Sequence, residues 1–169
     1  MRKTIYGFVV ILAGLFVSSC KTTGNTSVVD AAPVPAAPAV PEHPEGRALE
    51  HIYNQYESEV ILTGAKEYVV VRGDTLSRIA RDSYGTGLNA YYFPLIIAAS
   101  KGSANIFDPD EIEVGMVLII PDLQENLSDP SAHNNLKSLI WDVAEFYSRK
   151  ESPQSARLHE GLVKLYDTL

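Results

Sequence analysis

Side chains that can act as nucleophiles, general bases or metal ligands are few in this chain and widely separated. The sequence contains a single cysteine, Cys20, and four histidines. The histidines are His43, His51, His133 and His159. They do not stand at the spacings with which a helix or short loop presents paired zinc ligands. The sequence therefore predicts no metal site and no cofactor.

Three carboxylates, Asp108, Asp110 and Glu111, lie close together in the sequence. A pair of carboxylates can act as acid and base in glycoside hydrolysis, but a charged surface loop is far commoner. The part of the chain after Pro121 is short and shows helical periodicity, so we expect no catalytic domain there. We predict that the protein is not an enzyme.

The residue with the most distinctive chemistry is Cys20, at the end of an N-terminal export signal. A basic start precedes an apolar stretch from Ile5 to Val17, shorter than the roughly 20 residues that cross a bilayer. The tetrapeptide Val-Ser-Ser-Cys that ends at Cys20 resembles the bacterial lipobox, which implies cleavage before the cysteine and its acylation. We predict a lipoprotein signal peptide at 1–19 and a lipid anchor at Cys20. The alternative is an ordinary secretory signal beside a bystander cysteine.

The composition excludes partners that need a basic surface. Lys and Arg number 14 against 21 Asp and Glu, which gives a formal net charge of −7. Nucleic acids and anionic lipid headgroups are bound chiefly through basic side chains. We therefore predict no nucleic-acid partner, and any polymer must be bound through shape and hydrogen bonds.

The segment before the central block divides into a linker and a helix. Residues 20–46 are rich in Ala and Pro after the cysteine, and closely spaced prolines favour a semi-stiff spacer that rises about 3.1 Å per residue. Over 47–64 the apolar residues recur at three- and four-residue steps, the pattern of an amphipathic helix. They are Leu49, Ile52, Tyr53, Tyr56 and Val60. We expect this helix to reach about Leu62 and to end at Gly64.

The central block, residues 65–122, predicts the order strand, helix, helix, strand. The expected elements are a strand from Tyr68, a helix capped by Asp74, a helix over 89–100 capped by Gly102, and a strand over 116–120. The fold class expected for the chain is α+β. It consists of a βααβ module with a two-stranded antiparallel sheet, flanked by one amphipathic helix before and two after.

The motifs of this block resemble those of the LysM domain over residues 68–121. The opening motif is Tyr-Val-Val-Val-Arg-Gly-Asp-Thr-Leu-Ser-Arg-Ile-Ala from Tyr68, the second-helix motif is Tyr-Tyr-Phe-Pro-Leu-Ile-Ile-Ala-Ala-Ser from Tyr91, and the closing motif is Asp-Pro-Asp-Glu-Ile-Glu-Val-Gly-Met-Val-Leu-Ile-Ile-Pro from Asp108. The loop over 101–107 departs from the family because it lacks the common Asn-Lys pair.

The resemblance implies binding of glycans that contain N-acetylglucosamine, such as peptidoglycan, in a shallow groove between two loops. Carried over by position, the groove residues are Gly73, Asp74, Thr75 and Leu76 on one side, and Ile106, Phe107, Asp108, Pro109, Asp110, Glu111 and Ile112 on the other. An acetamido group needs a donor, an acceptor and a small apolar pocket, with no catalytic group.

Each of these residues also has a purely structural interpretation. Asp74 can cap a helix, and Gly73 can serve only the turn. Leu76 and Ile112 can belong to the core, which a small module needs. Phe107 can stack on a sugar ring or fold inward.

The sequence after the block predicts a helical hairpin over 129–169. Asp129-Pro130 and Ser152-Pro153 each place an N-cap before a proline at the first helical position. The short link between the two helices makes them antiparallel neighbours. Because antiparallel strands bring both flanks to one side, we expect a three-helix cluster with the helix over 47–62. This cluster would cover the end opposite the groove or form a second docking surface.

These patterns predict a non-catalytic protein that binds peptidoglycan and tethers a membrane to the cell wall. The alternative is an envelope scaffold whose flanking helices bind a protein partner, such as a wall hydrolase, while the LysM block provides localisation. Lys21 follows Cys20 where enteric lipoproteins retained at the inner membrane carry Asp. This favours an anchor in the outer membrane, facing the periplasm.

Overall fold

The computed structural model describes residues 44–104, 106, 109 and 112–169, with side chains from Ala48 onward. These residues belong to one compact unit. The predicted signal peptide, the lipidated Cys20 and the predicted linker up to His43 lie outside the described residues.

Two short strands and a series of helices form the described fold. The α-helices are α1 (Pro44–Tyr56), α2 (Leu76–Tyr84), α3 (Phe93–Ser100), α4 (Leu123–Ser128), α5 (Pro130–Ser148) and α6 (Pro153–Tyr166), and short 3-10 helices cover Glu57–Glu59 and Gly87–Tyr92. Strand β1 (Lys66–Val69) pairs antiparallel with β2 (Val117–Ile120), in a register that joins Lys66 to Ile120 and Val69 to Val117. The predicted α+β class, with helices before and after a two-stranded antiparallel sheet, is confirmed.

Helix α3 lies at the centre of the core. Its sequence is Phe-Pro-Leu-Ile-Ile-Ala-Ala-Ser, and all of its residues except Ala99 are buried. A helix that is apolar on all sides must be covered on all sides. Strand β2, α2, α1 and α5 all pack against α3, so the flanking helices belong to the same core as the βααβ module (residues 66–120).

The end of α3 also protects the outer edge of β2. The hydroxyl of Ser100, which is fully buried, accepts the Ile119 N–H at 2.8 Å and donates to the Ile96 carbonyl at 2.7 Å. The Ser103 hydroxyl donates to the Val117 carbonyl at 3.1 Å. These bonds satisfy a backbone N–H and a backbone carbonyl on the outer edge of β2. In a two-stranded sheet such groups would otherwise be free to pair with another chain.

Helix α5 lies between α1 and α6 and packs on both. Asp129 accepts the N–H groups of Ser131 and Ala132 at its N-terminus, and Ser152 accepts the Ser155 N–H at the N-terminus of α6. Both predicted N-caps are confirmed. The hairpin formed by α5 and α6 also packs on the 3-10 helix Gly87–Tyr92, so it is docked on the βααβ module.

The helix before the module is shorter than its periodicity predicts. Helix α1 begins at Pro44 and ends at Tyr56, whereas we expected it to reach about Leu62. The reason lies far along the chain, in the buried side chain of Asn126. Its Oδ1 accepts the Ile61 N–H at 3.0 Å and its Nδ2 donates to the Ile61 carbonyl at 2.9 Å. Backbone groups that would continue a helix are therefore bonded to a side chain of α4.

Other local expectations also need correction. Only two helices were predicted after the sheet, but α4 precedes them, so three helices follow it. Gly102 is not a left-handed cap of α3, because Lys101 keeps a right-handed backbone with φ −52° and the Ser103 and Ala104 N–H groups bond to the Ser100 carbonyl. Within the described part of the chain, no helix is long and apolar enough to cross a membrane.

We predict that Asn126→Ala destabilises the fold by about 1–3 kcal/mol, because it leaves the N–H and carbonyl of Ile61 without their partner. Chemical denaturation measures this change. Gln124→Ala, at an exposed position of the same helix, is the matched control. Equal stability of the two variants would show that the carboxamide does not hold the segment after α1.

Candidate functional site

A cleft of about 360 Å³ lies where the loop after β1, the loop before β2 and the α5–α6 hairpin meet. Small-molecule sites commonly measure about 300–1,000 Å³. Its described lining residues are Asp74, Thr75, Leu76, Ser77, Phe93, Pro109, Ile112, Tyr147, Gln154 and Leu158. The cleft thus brings together residues from both loops that the sequence analysis assigned to the groove.

The loop after β1 is held in place by Asp74. Its Oδ2 accepts the Tyr68 hydroxyl at 2.8 Å and the Val71 N–H at 2.9 Å. The bond to this carboxylate raises the pKa of the Tyr68 phenol, because loss of the phenol proton would break the bond. Gly73 takes a left-handed backbone with φ 93° at the turn, which a residue with a Cβ adopts only with strain.

Helix α2 begins one residue later than predicted. Its N-cap is Thr75, whose Oγ1 accepts the Arg78 N–H at 3.3 Å. The prediction that Asp74 caps this helix is therefore wrong, since its carboxylate is turned back to β1. Arg78 donates from Nη1 to the Gly73 carbonyl at 3.0 Å, which further fixes the loop at the mouth of the cleft.

The opposite loop contributes two described residues, Pro109 and Ile112, to the lining. Ile106 is 2% exposed and lies in the core, so it supports the loop from beneath rather than facing the cleft. The remaining predicted residues, Phe107, Asp108, Asp110 and Glu111, lie outside the described residues.

The floor of the cleft is apolar and continuous with the core. Leu76 and Phe93 are buried members of the core cluster and also line the cleft. Ile112 is half-buried and packs against the same cluster. Leu76 and Ile112 therefore contribute both to the packing of the core and to the lining of the cleft.

Five lining residues were not anticipated from the sequence. They are Ser77, Phe93, Tyr147, Gln154 and Leu158. Ser77 and Phe93 fall inside the motifs quoted above, so those motifs were a usable signal. Tyr147, Gln154 and Leu158 belong to the hairpin, and no local pattern places them beside a turn that lies so far away in the sequence.

The position of the hairpin also corrects one expectation. The three-helix cluster was expected to cover the end opposite the groove or to form a second docking surface, but residues of α5 and α6 line the cleft beside residues 74–76 of the predicted groove. The cause is the packing of the hairpin on the 3-10 helix Gly87–Tyr92 and on α3, which strand direction alone does not specify.

The cleft offers hydrogen bonding and an apolar floor. Among the residues that the structure describes, no group of three or more His, Cys, Asp or Glu side chains could hold a metal ion. Thr75, Ser77 and Gln154 provide neutral donors and acceptors beside the floor. This combination suits an uncharged polar ligand with small apolar groups.

The family comparison agrees with this geometry. A family model described as LysM domain matches residues 68–90. This match confirms the LysM resemblance over residues 68–90. The matched residues contain the end of β1, the loop with Gly73 and Asp74, and the whole of α2. A LysM domain is a binding module rather than a catalytic one, and it indicates glycan binding of the peptidoglycan or chitin type. No curated protein and no solved structure matches the chain.

We predict that Asp74→Ala frees the first loop, because both the Tyr68 hydroxyl and the Val71 N–H lose their acceptor. Hydrogen exchange at the Val71 amide should accelerate, and the pKa of the Tyr68 phenol, followed by NMR of its ring, should fall toward its ordinary value. Glu151→Ala is the control, because Glu151 is an exposed carboxylate in the link between α5 and α6. An unchanged Val71 amide in the Asp74 variant would contradict this role.

Proposed function

We propose that this protein binds N-acetylglucosamine-containing glycan, such as peptidoglycan, in the cleft without modifying it. The observation that supports this proposal most strongly is that the family match and the cleft fall on the same loop. The LysM match covers the loop over 73–76, and this loop forms one wall of a cleft whose other wall comes from the loop before β2.

The chemistry of an acetamido sugar fits the lining. The acetamido group presents one N–H donor, one carbonyl acceptor and a methyl group. Leu76, Phe93 and Ile112 supply apolar surface for the methyl group, while the hydroxyls of Thr75 and Ser77 lie in the same lining. The acidic chain disfavours anionic ligands, and the acetamido group is neutral.

We further propose that acylated Cys20 anchors the protein in a membrane and that the proline-rich segment after it spans the gap to the wall. The lipobox-like tetrapeptide and the lack of an Asp after Cys20 support an outer-membrane anchor that faces the periplasm. A single sugar module binds with a dissociation constant of about micromolar to millimolar, near −8 to −4 kcal/mol. Anchoring beside a repetitive polymer raises the effective concentration enough for stable residence.

A second candidate function is binding of a protein partner by the hairpin. Trp141 on α5 is 41% exposed, and its ring centroid lies 5.0 Å from that of Tyr166 on α6. Lys137 Nζ lies 4.7 Å from the centroid of the Tyr166 ring. Exposed aromatic side chains of this kind are enriched at protein interfaces. A photo-crosslinking residue at 141, compared with one at the exposed Ser131, tests for a discrete protein adduct.

Ser77→Trp should abolish glycan binding, because it places an indole in the cleft. Ser77 is half-buried in the lining, whereas Ser83 on the same helix is exposed and outside it. The measurement is co-sedimentation of the 21–169 fragment with purified peptidoglycan sacculi. The expected result is pelleting of the native fragment and of Ser83→Trp, but not of Ser77→Trp. If the native fragment stays in the supernatant, glycan binding is refuted; if all three pellet, the site lies elsewhere.

Cys20→Ala should release the protein from the membrane, because the only cysteine is the proposed acylation site. Full-length protein produced in a bacterium is partitioned between detergent and aqueous phases. Ser19→Ala, which retains the cysteine, is the control and should remain in the detergent phase. Detergent partitioning of the Cys20 variant would rule out the lipid anchor at this position.

A further inference from the structure

The cleft has a third wall that does not come from the LysM module. Tyr147 lies at the end of α5, and Gln154 and Leu158 lie in the first turns of α6, yet all three line the cleft with the two loops. Gln154 is exposed and Leu158 is half-buried. The hairpin thus presents both a polar and an apolar side chain to whatever occupies the cleft.

This wall packs on the module at the base of the cleft. The rings of Phe93 on α3 and Tyr147 on α5 meet edge to face, with centroids 6.5 Å apart at 73°, and both side chains are buried. Edge-to-face contact is a favourable arrangement for aromatic pairs. This contact therefore joins α5 to α3 beside the cleft.

A second contact fixes α6 itself. Gly161 is buried against the ring of Tyr91, so closely that a Cβ at position 161 would collide with the ring. Two residues earlier, His159 Nδ1 donates to the Ala144 carbonyl of α5 at 2.9 Å. Helix α6 is thus held by the 3-10 helix on one side and by α5 on the other, which places Gln154 and Leu158 at a defined position.

We propose that α6 is part of the glycan site, with Gln154 hydrogen-bonding to a bound N-acetylated sugar and Leu158 packing against its acetamido methyl or ring face. This inference rests on the proposed function. It assigns recognition to a helix outside the LysM module, so that the hairpin and the module together form one composite site.

The side chains suit this role. A carboxamide carries two donors and an acceptor with two lone pairs, so Gln154 can bond to a ligand in addition to its contacts within the protein. The acetamido and hydroxyl groups of the sugar include both acceptors for the carboxamide N–H groups and donors for its oxygen. Leu158 lies one turn after Gln154 on the same helix face, since residues four apart are neighbours. Gln154 and Leu158 can therefore make a polar and an apolar contact with adjacent parts of the ligand.

The test measures affinity with the purified full-length protein in detergent, by calorimetry with a soluble hexamer of N-acetylglucosamine and by pelleting with purified sacculi. The variants are Gln154→Ala and Leu158→Ala. Gln55→Ala, at an exposed position of α1, is the matched control. Thermal unfolding of each variant verifies that the fold is intact.

We expect Gln154→Ala to weaken hexamer binding roughly three- to tenfold, the contribution of a neutral hydrogen bond. Leu158→Ala should weaken it to a similar extent, while Gln55→Ala binds like the native protein. Native affinity in both α6 variants, with the native protein binding normally, would overturn the inference and leave the proposed function standing.

Two further results are informative. Loss of sacculus binding with unchanged hexamer binding would also overturn the inference, because α6 would then contact the peptide stems rather than the sugar. Failure of the native protein to bind either probe would instead refute the proposed function itself.

Discussion

Helix α3 is apolar on every side, and the arrangement of the molecule follows from the need to cover it. Strand β2, α2 and the 3-10 helix Gly87–Tyr92 cover part of its surface. Helices α1 and α5 also pack on α3, and α6 packs on α5. Helices α1 and α5 therefore belong to the same core as the βααβ module.

The same constraint shapes the binding site. Because α5 must reach Phe93 at the start of α3, its last turn ends beside the cleft, and the short link to α6 then places Gln154 at the cleft as well. The bonds of Asp74 to Tyr68 and Val71 fix the facing loop. A preorganised site of this kind loses little conformational freedom when a ligand binds. A fixed loop of this kind would favour the glycan binding proposed for the cleft.

Features set by neighbouring residues could be predicted from the sequence. The two strands, α5 and α6 and the caps at Asp129 and Ser152 all follow from local periodicity and local hydrogen bonding. The LysM motifs likewise predicted Asp74, Thr75, Leu76, Pro109 and Ile112, which line the cleft. Features decided by distant residues could not be predicted. The end of α1 depends on Asn126, and the third wall of the cleft depends on contacts between Phe93 and Tyr147 and between Tyr91 and Gly161.

In the proposed function, the lone cysteine and the cleft would serve two halves of one task. The proposed acyl group would determine where the protein resides, and the cleft would determine what it holds there. Neither half requires a catalytic group, which agrees with a binding module of the LysM type.

The most direct test of this account is NMR mapping of the isotope-labelled 21–169 fragment titrated with a hexamer of N-acetylglucosamine. The account predicts that the shifted amides cluster at 73–77, at 112 and at the start of α6, around Gln154 and Leu158. Shifts confined to the face that carries Trp141 and Tyr166, or the absence of any shift, would contradict it.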